Sequence, residues 1–117
     1  MIKRMLPWDG LGHEIVEHDG VLYIGGIVPE VTGADMASQA EDVLRQFKKL
    51  LESAGSDLDR VLQVTIYVTD LAEKPDFNRV WKSYFPEGRT PARAMIGIAS
   101  LGPGTKLELV ATAAVGR

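Results

Sequence analysis

The chain has 117 residues, 45% of them hydrophobic and 25% charged, with a formal charge of -3 and no cysteine. That length suits one domain around a single core, and the missing cysteines exclude disulfides, thiolate nucleophiles and thiolate metal sites. The acidic balance argues against a nucleic-acid partner, and the lack of a long apolar run or an apolar N-terminal segment argues for a cytoplasmic chain without membrane contact.

Residues 1–6 read as a short strand ended by Pro7, followed by a loop from Trp8 to Gly12. Glu14–Glu17, the Asp19-Gly20 turn and Val21–Val28 read as a hairpin, with Pro29 and Thr32-Gly33 closing the section. From Asp35 the period changes. Met36, Ala40, Val43, Leu44, Phe47, Leu50, Leu51 and Ala54 fall on one helical face, with Asp35 as the N-cap and Gly55 as the stop. Val61–Thr69 alternates again, with Leu62, Val64, Ile66 and Val68 as the side that packs under the helix. A second helix starts near Pro75, buries Phe77, Val80, Trp81 and Tyr84, and ends at Pro86 and Gly88.

The last stretch reads as two strands, Ala92–Ala99 and Lys106–Val115, joined through Gly102-Pro103-Gly104 into an antiparallel hairpin. Its Ile and Leu faces are the expected core sides, which leaves Arg93, Met95, Glu108 and Val110, together with Tyr67, on the opposite face. Simple hairpin pairing separates Arg93 from Glu108 by about 13 Å along the sheet, too far to share a small ligand within one chain. The element order predicts a two-layer α+β domain with both helices on one sheet face. The other face is apolar enough to need cover, for which a second copy of the same sheet is the natural solution.

Pro91-Ala92-Arg93-Ala94, the Leu101/Pro103 turn and Leu107-Glu108-Leu109-Val110-Ala111, with Arg and Glu fifteen positions apart, resemble the signature of the Rid (RidA/YjgF) superfamily. The likeness extends over most of the chain through Gly25-Gly26 with Pro29, Gln39-Ala40, Ala54-Gly55, Val68-Thr69-Asp70-Leu71, Phe77-Asn78 and Tyr84-Phe85. The resemblance implies a chorismate-mutase-like fold of about six strands and two helices, spanning residues 1–117 as one domain. It also implies a homotrimer with its sites in clefts between subunits, where Arg93 of one chain meets Glu108 of the next.

The implied reaction is hydrolysis of a small 2-imino acid or its enamine, such as 2-iminopropanoate from 2-aminoacrylate, to a 2-oxo acid and ammonia. Neither metal nor organic cofactor is implied. In that family the residue matching Arg93 holds the substrate carboxylate, a task suited to a planar guanidinium fork. The residue matching Glu108 orients the attacking water or exchanges protons as the carbinolamine collapses. Asn78 matches an asparagine near the cleft, while Gly25 stands where a serine is usual and Ile27 where a glutamine is. Met95 replaces a frequent cysteine, keeping only its backbone carbonyl for the water. No tyrosine stands near Gly12, which leaves Trp8 or His13 to line that end.

Taken alone, the residues leave other assignments open. Arg93 also reads as half of an interface ion pair, Glu108 as a structural acid, Asn78 as an exposed helix-edge residue, and His13 and His18 as surface histidines outside any metal motif. A non-catalytic binder of small carboxylates on the same trimeric fold is the alternative function. The ribonuclease or translation-inhibitor activity attached to some relatives fits an acidic chain poorly.

Overall fold

Two Asp-Gly turns build the first half of the sheet. In the computed structural model, which describes residues 1–116, β1 (Ile2–Trp8), β2 (Gly12–His18) and β3 (Val21–Ile27) form an antiparallel meander. Asp9, Gly10, Asp19 and Gly20 all take positive φ, the twist that tight hairpins require and that Asp and Gly tolerate. Pro7 does not end the first strand as expected, because the pairs Pro7↔His13 and Trp8↔Gly12 continue the ladder. β1 is an edge strand, the one place where a proline's missing N–H can face solvent.

Helix α1 (Met36–Ser53) follows the 3.6-residue stripe. Asp35 caps it by accepting the Ser38 N–H at 2.9 Å, and Gly55 at positive φ ends the run. Met36, Ala40, Val43, Leu44, Phe47 and Leu51 are buried against the sheet, each large side chain contributing about 1.5–3 kcal/mol relative to exposure. Gln39 and Asp42 are buried beside them, unannounced by the hydrophobic pattern. Gln39 Nε2 donates to the carbonyls of Ala34 and Gly104, and its Oε1 accepts the Lys106 N–H. Asp42 accepts the N–H groups of Glu30 and Val31. These two polar residues tie the β3–α1 connection and the segment before the last strand to the helix.

Helix α2 (Lys74–Tyr84) has proline in its first turn and buries Phe77 and Trp81, with Val80 and Tyr84 partly covered. The remaining strands are β4 (Val61–Val68), β5 (Ala92–Gly97) and β6 (Leu107–Ala114), and the sheet order is β1-β2-β3-β6-β4-β5. The sheet is six-stranded and mixed, with the helices on one face: the two-layer α+β fold expected. Among the described residues no helix is long and apolar enough to cross a membrane.

The expected final hairpin is not formed. β4 lies between β5 and β6, parallel to the first and antiparallel to the second. The reason is the crossover: β5 is reached from β4 through α2, and such a connection delivers a parallel neighbour. Residues 98–106 then cross the end of β4, where the Gly104 carbonyl accepts the Gly33 N–H and the Gln39 amide. The alternation of β4 also slips, since a register shift between Val61 and Gln63 leaves Leu62 exposed instead of under the helix.

Candidate functional site

Arg93 lies on the helix face of the sheet, not the open face. Its register partner is Val64, a core residue, and its guanidinium reaches over helix α2. The guanidinium carbon sits 4.8 Å from the centroid of Trp81 and 5.5 Å from that of Phe77, within the range of a cation–π contact. Arg93 Nη2 donates to Asn78 Oδ1 at 2.5 Å. Among the described residues no carboxylate pairs with Arg93. Burial pulls its pKa down, yet a guanidinium does not lose its proton in proteins, so the charge stays. Arg93, Asn78 and Trp81 line a hollow of about 630 Å³ together with Lys82, Phe85, Glu87 and Thr90.

Glu108 projects from the opposite face. It stands in β6 between the buried Leu107 and Leu109 and pairs in register with Tyr67, which in turn pairs with Ile96. Among the described residues its carboxylate has no hydrogen bond or ion pair, and it rests on Gly26. The open face around it carries Val16, Tyr23, Gln63, Thr65, Tyr67, Val110 and Thr112 by register. Part of this surface, with His13 and Gly25, forms a second hollow of about 420 Å³.

The structure thus brings Asn78 to Arg93 and Gly25 to the neighbourhood of Glu108, but keeps the two groups apart. The separation holds for a different reason than hairpin spacing: the side chains leave opposite faces, with β4 between their strands. Met95 shares Arg93's face, and its side chain packs against the core instead of the open surface. Ile98 donates its N–H to the Val68 carbonyl, so by alternation the backbone groups of Arg93, Met95 and Gly97 point away from β4 at the sheet edge. Trp8 covers Gly12 at the β1–β2 turn and does not line the Arg93 hollow.

Sequence reasoning placed Phe77 and Trp81 in the core stripe and missed their contact with Arg93. The available signal was the spacing of Phe77, Asn78 and Trp81, which sets two rings and an amide on adjoining faces of one helix.

The chain is similar to known proteins over almost its whole length. The profile of the Endoribonuclease L-PSP family matches residues 2–115. A 3-aminoacrylate deaminase RutC from Acinetobacter baylyi is 34% identical over 103 residues, covering 83% of this chain and 81% of that protein. A RutC family protein from Haemophilus ducreyi is 31% identical over 102 residues, covering 87% of each. A crystal structure of a YjgF family member from Neisseria meningitidis superposes with a TM-score of 0.92 at 32% identity, covering 100% of this chain and 97% of that one. The chain belongs to the Endoribonuclease L-PSP family, the YjgF/RutC/Rid group that its Arg93 and Glu108 signature resembles.

Proposed function

We propose that this protein hydrolyses small 2-imino acids, or enamines such as 2-aminoacrylate, to 2-oxo acids and ammonia in a pocket between subunits of a homotrimer. A second copy whose open sheet face abuts the β5 edge brings its Glu108 to the Arg93 hollow of the first. Arg93 takes the substrate carboxylate through parallel N–H···O bonds. Water adds to the C=N carbon, the π electrons move to nitrogen, and Glu108 accepts the proton that the water releases. Glu108 returns that proton to the nitrogen, giving the neutral carbinolamine; it then takes the carbinol O–H proton and passes it to the same nitrogen as the carbonyl forms and the C–N bond breaks, so that ammonia leaves. Positioning substrate beside an oriented water supplies the acceleration, so a strong nucleophile is unnecessary.

The observation that carries this reading is the Arg93 guanidinium in the 630 Å³ hollow, held by rings and an amide oxygen and paired with no carboxylate among the described residues. The relative named 3-aminoacrylate deaminase supports the reaction class. The test generates 2-iminopropanoate in situ with an amino-acid oxidase and follows its loss. Wild type should accelerate the decay over buffer, Arg93→Ala should raise KM by about tenfold or more, and Glu108→Gln should lower kcat. No acceleration by wild type sinks the proposal.

A second reading, capture of small carboxylates without chemistry, draws on the walls. Gly25 offers no hydroxyl, and the Met95 side chain turns to the core. An inactive wild type whose binding of 2-oxo acids is abolished by Arg93→Ala would select it.

A further inference from the structure

An arginine on an edge strand is long and free to sample rotamers unless something holds it. In this chain the candidate holder is a column of rings. Trp81 is 4% exposed, stacks on Phe85 with centroids 4.3 Å apart and planes 27° apart, and tilts against Phe77 at 6.0 Å. Residues 77, 81 and 85 recur every four positions, so they align along α2 and its C-terminal cap, and the Arg93 guanidinium lies across the middle of that column. The only side-chain hydrogen bond Arg93 makes among the described residues goes to Asn78. An acid in Trp81's place would hold the cation equally well but would occupy its N–H fork and cancel its charge. A ring face does neither, because the attraction runs through the π quadrupole.

We propose that Trp81 is the positioning residue of this site: its indole face fixes the Arg93 guanidinium so that the remaining N–H donors stay aimed into the hollow, and so sets the affinity for a carboxylate ligand. The claim rests on the carboxylate-binding role of Arg93 described above, and it makes the π character of residue 81, beyond its bulk, the controlling property.

The test compares Trp81→Phe, which keeps a smaller π face, with Trp81→Leu, which keeps apolar bulk without one. Pyruvate binding is measured by calorimetry, and the Arg93 Nε–Hε order parameter by NMR relaxation. Trp81→Leu should weaken pyruvate by about five- to thirtyfold, and Trp81→Phe by about threefold or less. The order parameter should fall from near 0.85 in wild type to below about 0.6 in Trp81→Leu, the values that separate rigid from flexible N–H vectors. Should Trp81→Leu fail to fold, fluorination keeps the test alive. The chain has two tryptophans, so a Trp8→Phe protein carries fluorotryptophan at position 81 alone. Relative to that unlabelled parent, successive fluorines should weaken pyruvate binding in steps without changing ring size appreciably.

Unchanged pyruvate affinity and a rigid Arg93 in Trp81→Leu, or no response to fluorination, would overturn the proposal. If wild type binds no 2-oxo acid, the function reading fails by itself. The order parameters then still distinguish a held guanidinium from a free one.

Discussion

The Glu108 carboxylate rests on the α carbon of Gly26. A β carbon at position 26 would stand 2.7 Å from Glu108 Cδ, closer than real carbons approach. The ladder between β3 and β6 is irregular from Ile24 to Ile27, and the two glycines in that irregularity open the space the carboxylate occupies. Gly26 is absent from the positive-φ glycines, so alanine meets no positive-φ penalty there, and the three atoms nearest its β carbon all belong to Glu108.

Gly26→Ala is therefore expected to lose most imine hydrolysis, to about the level of Glu108→Gln, while stability changes by less than about 1 kcal/mol because the half-exposed carboxylate can swing aside. Gly25→Ala is the comparison, since its β carbon would meet the His13 carbonyl at an ordinary 3.4 Å. Kinetics and thermal melts on both variants check the point. Equal activity in Gly26→Ala and wild type would separate Glu108 from the chemistry.

Opposite-face placement makes cooperation between copies a kinetic prediction. Arg93→Ala and Glu108→Gln, each impaired alone, should regain about one quarter of wild-type activity at substrate well below the Arg93→Ala KM when unfolded together in equal amounts and refolded. In a ring, random mixing completes one site in four with both groups intact. No recovery in mixtures shown by mass spectrometry to contain both subunits would rule out a shared site.

Gln39 is a stability prediction independent of the chemistry. Gln39→Leu removes the partners of the Ala34 carbonyl and the Lys106 N–H, both held at the helix N-terminus, and one of two partners of the Gly104 carbonyl. Orphaning these groups should cost about 2–4 kcal/mol, read by urea denaturation at constant m. A loss below about 1 kcal/mol would mean that water replaces the amide.

Asp42 governs part of the acid limb. Burial alone would raise its pKa, but hydrogen bonds from Gln46 and from the Val31 and Glu30 N–H groups outweigh it and bring the net value below the ordinary 3.8. A depressed folded pKa contributes stability that is present above the unfolded value and lost as pH falls through the folded one. Asp42→Asn should destabilise at pH 7 and flatten the pH dependence of stability below about pH 4. Parallel curves for the two proteins across that acid range would count against the assignment.

Much of the fold was legible because its signals are local. The stripe from Met36 to Leu51, capped by Asp35 and stopped by Gly55, needs only a 3.6-residue period and two end residues. The Asp19-Gly20 hairpin needs only a turn that tolerates positive φ. Arg93 and Glu108 stood out for an equally local reason, each being a charge inside a small or apolar strand.

What residues alone could not settle was which strand β5 joins and which way its side chains point. In Ala92–Gly97 small or apolar residues occupy both faces, so a period of two names no core side, and Arg93 reads as outward until helix α2 is seen to lie over it. Strand order is a long-range property: α2 carries the chain over to a parallel position beside β4, and no turn signal near Pro103 can override that crossover. The chain's local chemistry therefore determined its helices, its early turns and the identity of its two exceptional charges. Only tertiary packing decided that those charges leave opposite faces of one sheet, because a side chain's face depends on which elements lie above and beside its strand.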